Sequence, residues 1–305
     1  MDKAELGSLL DLPLSEIISK ANKIRSDSSL RRVELCNIMN AKSGLCSQDC
    51  RFCAQSGKHK TGVNTYPLKT KAEMFKAAQA ARDMGAERFD IVTSGERLSK
   101  DEIKIVSDAI AEITTKIGIK MCASLGSLKE EEFILLKKAG LSRYHHNIET
   151  SPRYFPKIVT THTFQDRIDT IKAAKKSGLE VCSGGIIGMG ETEEDRIEMA
   201  FLLKELDVDS VPINVLVPIK GTPLEGRNTL SCFEVIRTIA LFRIILQDKI
   251  IKIAAGRESL LKDFQAMAFM AGANGMLIGG YLTIKGRGVS EDLKLVEEVE
   301  KLWNQ

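Results

Sequence analysis

Apolar residues along this chain alternate between two spacings, a stripe at the helical period and short, nearly continuous runs. Residues 2–27 carry a helical stripe of Leu9, Leu10, Ile17, Ile18 and Ala21, which predicts a surface helix outside the main body. From Val33 onward the pattern becomes strand, then helix, and repeats eight times. The predicted strands cover 33–39, 88–93, 120–124, 143–148, 180–185, 210–217, 250–254 and 275–278. The helices between and after them cover 71–84, 101–116, 129–139, 165–177, 193–206, 232–247, 257–271 and 290–303, with Gly85 and Gly140 ending two of them. Strands alternating with helices predict parallel pairing through crossovers. Eight such pairs predict an α/β fold of the closed (β/α)8 TIM type rather than the alternative, an open doubly wound sheet. No linker or low-complexity tract interrupts the series. The expectation is one barrel domain over 1–305, with an N-terminal helical extension (1–30), a barrel core (31–284) and a C-terminal helix (285–305). In such a barrel chemistry belongs at the C-terminal ends of the strands.

Composition adds exclusions. The chain has 305 residues, 43% apolar and 28% charged, with a net charge of +3 and no basic stripe that would suggest nucleic acid. No apolar run is long enough for a membrane span, and the first residues lack the pattern of a signal peptide. A cytoplasmic location is expected, where thiols stay reduced, so the seven cysteines read as metal or catalytic ligands before disulfides.

Three of those cysteines form a tight C-x3-C-x2-C run, Cys46-Ser-Gln-Asp-Cys50-Arg-Phe-Cys53, on a loop after the first predicted strand. Three thiolates are one short of a closed tetrahedral site. A 4Fe–4S cluster held this way leaves one iron open to a small molecule, which the four-thiolate pattern of ferredoxins does not. The bland alternatives are a zinc knuckle or three unrelated thiols.

With an aromatic directly before its last cysteine, the run resembles the radical S-adenosylmethionine (radical SAM) superfamily. Nine further segments are similar, in order, to the biotin synthase family: Lys60-Thr-Gly62, Thr150-Ser-Pro152, Val181-Cys-Ser-Gly-Gly185, Gly188-Met-Gly-Glu-Thr192, Ser210-Val-Pro-Ile-Asn214, Lys220-Gly-Thr-Pro-Leu224, Ile236-Arg-Thr-Ile239, Ala255-Gly-Arg-Glu258 and Phe269-Met-Ala-Gly-Ala-Asn274. The resemblance implies sulfur insertion into dethiobiotin. Its unactivated C–H bonds yield to no side-chain base, so the chemistry falls to cofactors. It implies a 4Fe–4S cluster that binds S-adenosylmethionine at its open iron, a 5′-deoxyadenosyl radical that takes hydrogen from dethiobiotin, and an auxiliary iron–sulfur cluster (2Fe–2S or a larger 4Fe type) that gives up the sulfur. It also implies an electron donor such as flavodoxin or ferredoxin, the iron–sulfur assembly machinery and a homodimer.

Residue by residue, the resemblance makes Cys46, Cys50 and Cys53 the ligands of the 4Fe–4S cluster. Phe52 is expected beside the adenine. Ser94, Gly95 and Glu96 resemble the element that holds the methionyl amino group, a feature of other branches of the superfamily. Glu149 takes the place of a ribose-binding carboxylate, Arg167 that of a partner for the methionyl carboxylate, and Gly188 and Glu191 belong to a G-x-I-x-G-x-x-E element. For the auxiliary cluster the family pattern assigns Cys122, Cys182 and Arg257, but its second-strand cysteine is replaced by Asp90. Cys36 on the first strand is expected to compensate, so that Cys36, Cys122, Cys182 and Arg257 converge from alternate strands in one interior layer. Asn147 and Asn214 fit a ureido ring, and His145 stands where the family has another Asn. His146 is expected to point the other way, and Cys232 to be structural. A different radical SAM reaction of the same subfamily, hydrogenase-maturase-like or mutase-like, is the second reading, favoured by Ser94–Glu96. A non-catalytic zinc-binding module is the third.

Overall fold

The computed structural model describes residues 3–26, 29–282 and 286–303; residues 2 and 27, the ends of the predicted first helix, lie outside them. Nine strand segments, β1 (Glu34–Lys42), β2 (Arg88–Thr93), β3 (Lys120–Ser124), β4 (Leu141–His145), β5 (Glu180–Cys182), β6 (Gly185–Ile187), β7 (Ser210–Val215), β8 (Ile250–Ile253) and β9 (Gly275–Leu277), pair in parallel throughout. The order β5-β4-β3-β2-β1-β9-β8-β7-β6 closes on itself because β7 also pairs with β5. β5 and β6 are two pieces of one barrel position, so the barrel has the eight positions expected of a (β/α)8 fold. Between the pieces lies Gly184, where a Cβ would stand 2.0 Å from the carbonyl oxygen of Pro212 on β7. Only a glycine lets the two backbones approach so closely.

Period-two alternation divides each strand between two environments. On β2, Phe89 and Ile91 are fully buried in the apolar layer under the helices, while Arg88, Asp90 and Val92 line the interior. Residues Cys122 and Ser124 of β3, Arg143 and His145 of β4, and Lys252 of β8 do the same. The helices cover the outer layer with faces such as Ile103, Val106, Ile110 and Ile113 of the helix Lys100–Lys116, all fully or nearly fully buried. Five helices start at a capping box, with Thr70, Ser99, Thr163, Thr192 or Ser231 bonded reciprocally to an acid three residues on.

Three predicted elements differ. The N-terminal stretch is two helices, Lys3–Leu10 and Leu14–Ser26, because Pro13 cannot continue the first one. The second is not a loose appendage. Ile17 and Ala21 are fully buried, and Arg25 donates to the carbonyls of Leu30, Phe269 and Arg31 while stacking 3.6 Å over Trp303. The strand predicted at 143–148 is β4, two residues earlier at its start, and leaves regular pairing after His145. Parity is preserved, so Arg143, His145 and Asn147 still face inward. The helix predicted at 257–271 breaks into Arg257–Leu261, a 3-10 turn Lys262–Phe264 and Gln265–Met270, with Lys262 at a φ of 46°. Among the described residues no helix is long and apolar enough to cross a membrane.

Asp195 links the loop after β6 to the segment after β4. It closes its helix's capping box with Thr192 and accepts from Ser151 at 2.6 Å and Arg153 at 2.9 Å. Burial raises its pKa, but Ser151, Thr192 and Arg153 outweigh that and hold it down to about 2. A depressed folded-state pKa gives stability that is complete above the unfolded value near 4 and lost as pH falls through the folded one. Asp195→Ala is therefore expected to cost about 2 kcal/mol at pH 7 and progressively less between pH 4 and 2, as read by urea unfolding. An equal cost at pH 2 would refute the assignment.

Candidate functional site: a cysteine-lined barrel cavity

β1 ends at Lys42, and the cysteine loop follows at the C-terminal end of the barrel. Gly44 and Leu45 turn the chain with φ of 76° and 51°. The loop then folds on itself. The Cys46 amide donates to Gln55 at 3.0 Å, the Gly57 amide donates back to the Cys46 carbonyl at 2.8 Å, and the Cys53 amide donates to the Cys50 carbonyl at 2.9 Å. Asp49 straps it to the loop after β4 by accepting from the amides and hydroxyls of Thr160 and Thr161. Those bonds keep its carboxyl well below the usual range. All three thiols are free. Burial pushes Cys50 up to about 12 and Cys53 up to about 11, so both are protonated at neutral pH and ligation must displace the protons. A single short loop presenting three thiols fits a cluster with one open iron. No three His, Cys, Asp or Glu side chains among the described residues converge on a single metal ion; an iron–sulfur cube is itself several ångströms wide and takes its thiols held apart.

Phe52 and Cys53 line the loop end of an interior cavity of about 620 Å³. Its far end is lined by Cys36, Cys122 and Cys182, on β1, β3 and β5, each at most 5% exposed. Beneath them the barrel holds charge where hydrocarbon is usual. Glu34 accepts from Arg143 at 2.6 Å and Arg88 at 2.7 Å, and lies 3.4 Å from Lys252. Glu180 joins both arginines at 2.9 Å from the solvent side. Lys252 Nζ reaches Cys36 Sγ at 2.9 Å. Burial raises the Glu34 carboxyl, but Lys252, Arg143 and Arg88 outweigh it and hold the group far below its ordinary value. Burial pushes the Cys36 thiol up to about 11 against the pull of Lys252. Three cations against two carboxylates leave this floor with one positive charge to spare, which suits thiolates bound to an anionic cluster.

Between the two ends runs a polar wall. His145 Nδ1 meets Asp90 Oδ2 at 3.2 Å and its Nε2 meets Asn147 Oδ1 at 3.0 Å. Asn147 Nδ2 meets Glu149 at 3.4 Å, and Arg167 donates to the Asn147 carbonyl at 3.0 Å and lies 3.7 Å from Glu149. Burial lowers the His145 pKa, but Cys182, Asp90 and Asn147 outweigh it and raise it to about 9. Burial raises Glu149. Glu149 also has a φ of 69°, a left-handed conformation uncommon for a side chain of its size and of the kind found at binding sites. Asn214 is held at both ends, donating to Gly185 and accepting from Ala255 at 3.2 Å each.

The structure thus gathers Cys36, Phe52, Cys53, Asp90, Cys122, His145, Asn147, Glu149, Cys182 and Asn214 around one cavity. Several expected residues lie off it. Arg257 requires a correction. It is the first residue of its short helix and turns away from the thiols, toward Gln265, Leu277 and, at 2.5 Å, Asp292. The cation that faces the thiols from β8 is Lys252, five residues earlier. Glu191 is likewise spent within its own loop, accepting from the amides of Gly188 and Gly190 and from Arg196. Gly188 packs beside Leu216 and Leu230. Ser94 donates to the Gly44 carbonyl, while the exposed Glu96 accepts from Gln48. Arg167 holds Asn147 and Glu149 from behind. His146 is buried off the cavity. Sequence reasoning missed Glu34, Arg88, Arg143 and Lys252. The signal was plainest for Lys252, a charge inside the otherwise apolar Ile250-Ile-Lys-Ile253, which is tolerated only with a partner.

Residues 42–203 match the Radical SAM superfamily, and residues 212–300 match the Biotin and Thiamin Synthesis associated domain. The chain is similar to "Biotin synthase" of Thermotoga petrophila, 53% identical over 98% of this chain and 99% of that one. It is also similar to those of Thermotoga neapolitana (56% identical; 89% and 97% covered) and Pelotomaculum thermopropionicum (48%; 97% and 92%). Among solved structures, methylornithine synthase superposes with a TM-score of 0.83 at 21% identity, covering 97% of this chain and 92% of that one. The FeFe-hydrogenase maturase of Carboxydothermus hydrogenoformans does so at 0.80 and 18%, covering 93% and 70%. At those identities the likeness is one of fold.

Removing one partner from a buried charge network leaves the others uncompensated. Glu34→Ala is expected to lower stability by about 3 kcal/mol and Glu180→Ala, a half-exposed member, by about 1 kcal/mol, both measured by urea unfolding of the metal-free chain. Equal effects would contradict the central place of Glu34.

Proposed function

The chain belongs to the biotin synthase family of radical SAM enzymes, and from that premise we propose how its residues divide the work of inserting sulfur into dethiobiotin. When bound, the 4Fe–4S cluster with S-adenosylmethionine supplies one-electron chemistry that can break unactivated C–H bonds, and the auxiliary cluster supplies sulfur. The observation that carries the residue assignments is the single cavity with Cys53 of the cysteine loop at one end, Cys36, Cys122 and Cys182 at the other, and an amide-and-carboxylate wall between them.

Cys46, Cys50 and Cys53 hold the 4Fe–4S cluster at the loop end. Phe52, which lines the cavity beside them, packs against the adenine of S-adenosylmethionine. Glu149, buried and turned into the cavity, accepts from the ribose hydroxyls. Arg167 keeps Glu149 and the Asn147 carbonyl in place. Ser94 acts on the same site indirectly, by fixing the start of the cysteine loop. Cys36, Cys122 and Cys182 hold the auxiliary cluster, with Lys252 rather than Arg257 as the fourth group facing it. An ammonium donates to sulfide or thiolate but does not ligate iron while protonated; burial lowers the Lys252 pKa, but Cys36, Cys182 and Glu34 beside it outweigh that and keep it protonated. Asn147 and Asn214 meet the ureido ring. The enclosing barrel keeps water from the substrate while it is reactive. The electron donor is a flavodoxin- or ferredoxin-like protein, the clusters come from the iron–sulfur assembly machinery, and the enzyme works as a cytoplasmic homodimer.

Reconstituted protein given S-adenosylmethionine, a reductant and dethiobiotin is expected to form 5′-deoxyadenosine and biotin together. Release of 5′-deoxyadenosine without biotin would sink the reading. Cys36→Ala is expected to retain uncoupled cleavage of S-adenosylmethionine and to lose biotin formation. A wild-type yield of biotin from that variant would remove Cys36 from the auxiliary site.

A further inference from the structure

Two polar side chains of the cavity wall, Asp90 on β2 and His145 on β4, which the family resemblance singles out, are in contact at 3.2 Å. The hydrogen-bond chain beyond them fixes every proton by elimination. The Gly184 amide approaches Asn147 at 3.1 Å, and because a backbone N–H can only donate, the side-chain atom it meets is the oxygen. His145 Nε2 faces that same oxygen and must carry a hydrogen to do so favourably. Its other nitrogen faces a carboxylate and must donate as well. With Oδ1 committed twice, the amide NH2 of Asn147 is left on the cavity side, next to Glu149.

We propose that Asp90 and His145 act as one positioning unit for Asn147: the carboxylate holds the ring with both nitrogens donating, the ring locks the amide oxygen, and the amide N–H is presented to the ureido carbonyl oxygen of dethiobiotin. Asp90 is then a positioning residue and not a cluster ligand that stands in for the missing cysteine. A carboxylate is also the harder donor, less suited than thiolate to an iron–sulfur cluster. The Gly184 amide and the His145 ring together hold the oxygen, so the amide presents only donors to the cavity and selects a carbonyl-bearing ring. The proposal rests on dethiobiotin being the substrate.

The test measures dethiobiotin binding to cluster-loaded enzyme with S-adenosylmethionine and no reductant, by equilibrium dialysis, beside iron and sulfide content. Asp90→Asn is expected to weaken binding about tenfold while iron and sulfide stay at wild-type levels. In an Asn147→Ala background the same Asp90→Asn change is expected to add no further loss, because Asp90 acts only through that amide. Unchanged affinity in Asp90→Asn, an equal further loss without Asn147, or loss of iron and sulfide would each overturn the proposal, the last by making Asp90 a ligand. Failure of the wild-type enzyme to bind dethiobiotin at all would instead remove the underlying reading, and the proposal with it.

Discussion

One carboxylate, Glu34, holds three cations from three other strands inside the barrel. An ordinary barrel of this type fills its interior with branched aliphatic side chains, which need no partner. Here Arg88, Arg143 and Lys252 occupy that space, and each would be prohibitively costly there alone. Paired, they close the floor of the barrel with charge instead of hydrocarbon and leave a cavity above it. The three thiols sit directly over that floor, and the same cations that satisfy Glu34 can offset thiolates.

From that floor the rest of the site follows by parity. A residue that faces in on a strand is followed by another two positions on, so Arg143, His145 and Asn147 rise along β4 and its continuation, and Arg88 and Asp90 along β2, two strands away. The floor, the polar wall and the cysteine loop are therefore successive levels of the barrel, read from the N-terminal to the C-terminal ends of its strands. A shift of one residue in β1, β3 or β5 would turn its thiol out of the cavity.

Much of this was legible in the sequence. The alternation of strands and helices gave all eight barrel positions. The spacing of Cys46, Cys50 and Cys53 marked the loop, and the inward facing of Cys36, Cys122 and Cys182 followed from their strands. Arg257 was misplaced because the family resemblance points to its peptide, Ala255-Gly-Arg-Glu258, whereas the strand ends at Ile253 and the chain has already turned by then. Sequence spacing carries no information about which way a residue faces just past a strand end. Glu191 reads as a ligand for the same reason that it makes a good loop staple: a carboxylate beside glycines finds free amides. The Asp90–His145 contact was hidden because its members lie 55 residues apart on strands that are not neighbours in the sheet.

On the assignments proposed above, the barrel holds two separate sets of cluster ligands. The direct test is to remove the loop set alone, in a Cys46→Ala/Cys50→Ala/Cys53→Ala chain purified without oxygen, and to measure bound iron and acid-labile sulfide. The variant is expected still to carry an iron–sulfur cluster, held by Cys36, Cys122 and Cys182. A folded variant with neither iron nor sulfide would contradict it.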